Sequence, residues 1–150
     1  MIEIDCPSSD DTSALARRLA SLIRAGDVLL LKGRLGAGKT VFAGGIAEGL
    51  GVQERVTSPS FVLARSYQGF MPLIHADVYR IGSSAEIEDL DLLVEAARGV
   101  LVVEWGDVAE QQFGDDYLLV DIVAGDDEAR FIRLIPHGSW ADRPLEEVSM

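Results

Sequence analysis

The segment Gly33-Arg34-Leu35-Gly36-Ala37-Gly38-Lys39-Thr40 constrains the fold of this chain more than any other. It meets the pattern G-x-x-x-x-G-K followed by Ser or Thr at every specified position. Before it stands Asp27-Val28-Leu29-Leu30-Leu31-Lys32, a short apolar run of the kind found in strands buried on both faces. After it, Val41, Phe42, Ile46 and Leu50 predict a helix that closes at Leu50-Gly51. Strand, glycine turn and helix in this order suit phosphate. Glycines let the loop turn tightly so that backbone N–H groups point inward, and the helix N-terminus adds its positive dipole end. Gly33, Gly36, Ala37, Gly38, Lys39, Thr40 and Val41 are the expected nucleotide-binding set. Gly36, Ala37 and Gly38 form the cradle, the Lys39 ammonium reaches the β and γ phosphates, and the Thr40 hydroxyl supplies an oxygen to magnesium. The expected ligands are ATP and Mg2+. An anion-binding turn without catalytic consequence would not explain why Lys and Thr follow in order.

Hydrolysis needs a carboxylate at the end of a neighbouring buried strand. Glu104 follows Val100-Leu101-Val102-Val103 and is delivered by such a strand to the edge where α/β ligands bind. Asp77 lies in the more alternating His75-Ala76-Asp77-Val78-Tyr79-Arg80. The pattern favours Thr40 and Glu104 as metal ligands, with Asp77 orienting water or supporting the metal from outside; Asp77 could instead pair with Arg80 at a strand end. Lys39, Asp77 and Glu104 are the expected catalytic residues. Thr57-Ser58-Pro59-Ser60 reads equally as a γ-phosphate sensor or as a proline turn. His75 reads as structural, and Trp105 as either a neighbour of the site or core.

Around this centre the chain predicts an α/β fold, with a partly parallel sheet extended by antiparallel strands and residues 1–150 forming a single domain. The first regular element expected is a helix starting after Ser8-Ser9-Asp10-Asp11-Thr12 and ending near Gly26, with Leu15, Leu19, Leu22 and Ile23 on one face. Residues 61–67 and 73–79 read as a hairpin, Ser83–Arg98 as an acidic amphipathic helix, and Tyr117–Ala124 with Arg130–Pro136 as a second hairpin. Gly44-Gly45 in the loop's helix suggests close approach of another backbone.

The formal net charge is −12, with nine basic and eight acidic residues over 1–80 but four and seventeen over 81–150. Such a surface repels a phosphate backbone, which argues against binding DNA or RNA alone. No apolar run is long enough to cross a bilayer and the start lacks an export signal, so a cytoplasmic protein with no membrane contact is expected. Cys6, the sole cysteine, near a terminal strand, reads as a small apolar filler.

Four segments in order, Leu35-Gly36-Ala37-Gly38-Lys39-Thr40, Thr57-Ser58-Pro59-Ser60-Phe61, His75-Ala76-Asp77-Val78-Tyr79-Arg80 and Glu104-Trp105-Gly106, resemble the bacterial TsaE (YjeE) family. The resemblance spans most of the chain. It implies a small ATPase needed for the threonylcarbamoyl modification of adenosine 37 in tRNAs that read codons starting with A. It also implies TsaD and TsaB as partners, with tRNA met only through them. Magnesium held at Thr40 and Glu104, a required Asp77, and nucleotide contacts from Ser8–Thr12 and Arg130 follow from the same resemblance. Two other functions fit the loop. A small-molecule kinase would add a lid carrying several arginines, but only Arg98, Arg130, Arg133 and Arg143 follow residue 80. A nucleotide-sensing module would need the same cradle and would differ only in its use of hydrolysis.

Overall fold

The computed structural model describes residues 1–34, 36–57, 64–77, 92–105 and 113–149. Leu35, Ser58-Pro59-Ser60-Phe61, Val78-Tyr79-Arg80, most of the expected Ser83–Arg98 helix and Gly106 lie outside the described residues. Among the described residues seven strands form one sheet: β1 (Ile2–Cys6), β2 (Asp27–Lys32), β3 (Ala64–Gln68), β4 (Pro72–Asp77), β5 (Val100–Glu104), β6 (Tyr117–Ala124) and β7 (Arg130–His137). Their order across the sheet is β1-β7-β6-β2-β5-β4-β3. β6, β2, β5 and β4 run parallel to one another, while β3 and the β7–β1 side are antiparallel. The expected parallel core with antiparallel extensions is the architecture found.

The central strand β2 has five consecutive buried residues followed by Lys32. Its odd members, Leu29 and Leu31, join Val100, Val102, Leu118 and Val120 beneath the two long helices, α1 (Ser9–Ala20) and α2 (Lys39–Gly49). Its even members, Val28 and Leu30, meet Leu101, Val103, Ala96, Phe113 and Tyr117 on the opposite face. A strand covered on both faces has no polar alternation to keep, which is why it appeared in the sequence as a continuous apolar run.

Helix α1 starts as its composition implies. Ser8 is the N-cap, its hydroxyl accepting from Asp11 N–H at 3.2 Å while the Asp11 carboxylate accepts from Ser8 N–H at 3.1 Å. It ends at Ala20 rather than near Gly26. Beyond Ala20, the amides of Leu22 and Ile23 bond back to the carbonyls of Leu19 and Ala20, three residues away, so the chain tightens into turns. Leu22 and Ile23 still reach the core, but from those turns.

Two of the glycines in α2 serve the seam with α1. A Cβ at Gly45 would lie 2.6 Å from Ala16 Cβ, and one at Gly49 would lie 2.4 Å from Ala20 Cβ. Among the described residues Gly44 meets nothing within 4 Å, so the close approach anticipated for the pair is found at Gly45.

β1 precedes α1 and is the first regular element: it is the terminal strand expected near Cys6, although the sequence pattern puts the helix first. It pairs with β7, putting Cys6, 2% exposed, into the main core. After β7 the chain closes in two 3-10 turns, Gly138–Asp142 and Leu145–Ser149, which bury Trp140, Leu145 and Val148. Arg143 binds Asp27 there with both arms, at 2.5 and 2.8 Å, and lies 3.9 Å from the centroid of the Trp140 ring.

Candidate functional site

The loop between β2 and α2 turns at two glycines in the left-handed region, Gly36 (φ 82°) and Gly38 (φ 107°), where a side chain would be strained. At Gly33 the reason is space, because a Cβ would stand 2.8 Å from the Ile122 carbonyl oxygen. Lys39, the first residue of α2, is only 4% exposed. Its Nζ donates to the carbonyls of Gly33 at 2.7 Å and Arg34 at 3.0 Å. The same ammonium lies 3.8 Å from the centroid of the Trp105 ring, a cation–π contact. Trp105 reaches that position because its own φ is 64°, which turns the chain sharply at the end of β5. Both readings open for Trp105 hold in part, since it lies beside Lys39 and also packs, partly buried, against the second core cluster.

Glu104 ends β5, opposite Leu31 of β2 on one side and Asp77 of β4 on the other. Parallel register therefore sets both carboxylates at the C-terminal edge of the sheet, next to the loop that leaves β2. The Thr40 hydroxyl donates to the Glu104 carboxylate, 3.1 Å from Oε2 and 3.3 Å from Oε1. His75, two residues before Asp77 and wholly buried, places Nε2 2.6 Å from Glu104 Oε2. The contact is a hydrogen bond between the imidazole and the carboxylate. Among the described residues Nδ1 has no hydrogen-bond partner. His75 thus holds a carboxylate expected to bind metal, a contact its sequence context did not suggest. The signal for it was the spacing His75-x-Asp77, which puts both side chains on one face of a strand.

Thr40 and Glu104 present a hydroxyl and a carboxylate, oxygen donors of the kind magnesium takes when phosphates and water complete its shell. Among the described residues no group of three or more His, Cys, Asp or Glu could hold a metal by itself. The donor set therefore fits a cation that arrives with its phosphates better than a resident metal.

Two cavities flank the loop. One of about 600 Å³ is lined by Gly33, Arg34, Gly36, Ala37, Trp105 and Asp121 among others. The other, about 290 Å³, lies between Ser9, Thr12, Gly38, Val41, Glu128 and Arg130. Val41 and the start of α1, both expected near nucleotide, meet here. Arg130 comes to the loop from the β6–β7 hairpin, its Nε 2.7 Å from the Ala37 carbonyl. Thr57 is exposed and makes no contact described with this group.

A glycine loop joining a central parallel strand to a helix, with a carboxylate at the end of the adjacent strand, makes this a P-loop α/β protein. Comparison with known proteins narrows the class. Residues 6–132 match the family model described as "Threonylcarbamoyl adenosine biosynthesis protein TsaE". The tRNA threonylcarbamoyladenosine biosynthesis protein TsaE of Streptomyces coelicolor is 46% identical over 136 residues, covering 85% of this chain and 92% of that one. Its namesake in Bacillus subtilis is 39% identical over 141 residues, covering 93% and 89%. The crystal structure of Bacillus subtilis YdiB superposes with a TM-score of 0.81 at 35% identity, over 99% of this chain and 93% of that one. The chain belongs to the TsaE family.

Proposed function

We propose that this protein is a cytoplasmic ATPase, acting as one P-loop domain, that serves formation of threonylcarbamoyladenosine at adenosine 37 of tRNAs reading codons starting with A. It works with TsaD and TsaB and meets tRNA only through that assembly. The observation that carries the reading is the Thr40 hydroxyl donating to Glu104 beside the loop, 64 residues apart in sequence, in a chain of this family.

Lys39 would leave the carbonyls of Gly33 and Arg34 for the β and γ phosphate oxygens while the N-terminal end of α2 adds its dipole. Thr40 and Glu104 would hold magnesium, which supplies neutralisation of phosphate charge. His75 would keep Glu104 aimed by retaining Oε2, and Asp77, alongside Glu104 in the sheet, would orient the attacking water. The net charge of −12 supports indirect contact with tRNA, since it disfavours a bound polyanion.

The test is ATP turnover and tRNA modification by the purified protein with and without the two partners. Turnover is expected to be slow alone and faster with them. Glu104→Ala and Lys39→Ala are each expected to abolish modification. A variant that binds ATP normally, does not hydrolyse it and still supports many rounds of modification would overturn the role of hydrolysis.

A further inference from the structure

Arg130 opens β7, and the hydrogen bonds of its guanidinium run to backbone carbonyls. Nε donates to Ala37 at 2.7 Å and Nη2 to Gly36 at 3.4 Å, on the P-loop. Nη1 donates to Asp127 at 3.0 Å and Ala129 at 2.7 Å, on its own hairpin tip. An arginine has five N–H donors, and these contacts use four. The tip is itself tied down, because Glu128 Oε1 accepts from Ser9 N–H at 3.3 Å and from the Ser9 hydroxyl at 3.2 Å.

A peptide unit is planar and trans, so its carbonyl and the following N–H point in opposite directions. Holding the carbonyls of Gly36 and Ala37 toward the hairpin therefore sends the N–H groups of Ala37 and Gly38 the other way. The Ala37 N–H does point away, donating to the Arg34 carbonyl at 2.9 Å. Gly36 and Gly38 stand on either side of this peptide pair, and glycines resist rotation less than any other residue. The bond to Arg34 holds the first of these peptides from within the loop, and the Arg130 contacts hold both from outside it.

We propose that Arg130 is a positioning residue for the nucleotide site, which sets the peptide orientation of the P-loop and acts on phosphate through the loop rather than by touching the nucleotide. This rests on the reading that the loop binds the phosphates of ATP. Arg130→Gln and Arg130→Lys test it, since neither side chain reproduces the planar fork that makes all four contacts to the loop and the hairpin tip. Two measurements are made on the full-length protein: equilibrium affinity for ATP and for inorganic tripolyphosphate, and amide hydrogen exchange without ligand.

Both variants are expected to bind ATP about tenfold more weakly and tripolyphosphate more weakly by the same factor. The Ala37 amide is expected to exchange faster in the ligand-free variants, while the Leu50 amide, bonded to Ile46 within the α2 terminus, keeps its protection and reports an intact fold. A loss seen with ATP but not with tripolyphosphate would place Arg130 on the sugar or base and overturn the proposal. So would unchanged exchange at Ala37, or unchanged affinity for both ligands. Should the unaltered protein bind neither ligand, the ATP reading falls, while exchange at Ala37 still decides what Arg130 does.

Discussion

Gly44 and Gly45 are neighbours in one helix, yet the same substitution at each should move stability in opposite directions. Gly44 lies in the interior of α2 with no described residue within 4 Å of an added Cβ, so Gly44→Ala adds helix propensity without a clash and is worth about 0.5–1 kcal/mol of stabilisation. Gly45→Ala adds the same propensity but drives its Cβ to 2.6 Å from Ala16 Cβ and 2.7 Å from the Ser13 carbonyl oxygen. Carbon atoms rest at about 3.5–4.0 Å, so α1 and α2 must part by roughly 1 Å. The seam has little slack, because Ala16, Ala43 and Ile46 are all wholly buried. Overpacking of this kind costs about 1–3 kcal/mol, enough to reverse the gain in propensity. The measurement is urea unfolding followed by circular dichroism, with thermal melts as a check. Gly44→Ala should raise Tm by about 1–4 °C, and Gly45→Ala should lower it by a similar or larger amount. Stability equal to or above that of the unaltered protein in Gly45→Ala would refute the argument from the seam. Equal shifts in both variants would do the same.

Two further outcomes follow from buried groups. Arg143→Ala should lower unfolding free energy by about 3–5 kcal/mol in denaturant titration, because Asp27, 8% exposed, would lose a two-armed partner and remain a buried carboxylate. Burial pushes the Cys6 thiol above its usual 9.0, with a hydrogen bond to Thr12 opposing it in part. At pH 8 a thiol-alkylating reagent should therefore label the native protein far more slowly than the protein in denaturant. The fold favours the neutral thiol, so this contribution to stability is complete below pH 9.0 and is lost as pH rises through the elevated value.

Local patterns carried the elements near the P-loop into view. β2 and β5 were legible because a strand buried on both faces is a continuous apolar run, and α1 because Ser8 and Asp11 form a capping box. The helix end at Ala20 was not, since Leu22 and Ile23 keep the helical spacing while the chain tightens beneath them. At the site, the residue types and their order pointed to Lys39, Thr40, Asp77 and Glu104. The contact of His75 escaped, and Trp105 stayed open between site and core, because their roles depend on how the ends of neighbouring strands are placed, which no local window contains. The opposition of Asp77 to Glu104 puts His75 against Oε2, and a left-handed residue after β5 puts the indole under Lys39. Gly44 and Gly45 were indistinguishable for a similar reason: only the position of α1 tells them apart.

The contact between Arg130 and Ala37 joins residues 93 apart, and Thr40 reaches Glu104 across 64. During synthesis the ribosome completes the P-loop long before the hairpin that braces it. A chain halted before β7 would carry the whole glycine motif and lack both the brace and the strand that pairs with β1. On the role proposed for Arg130, such a chain is expected to hold phosphate more weakly than the finished one.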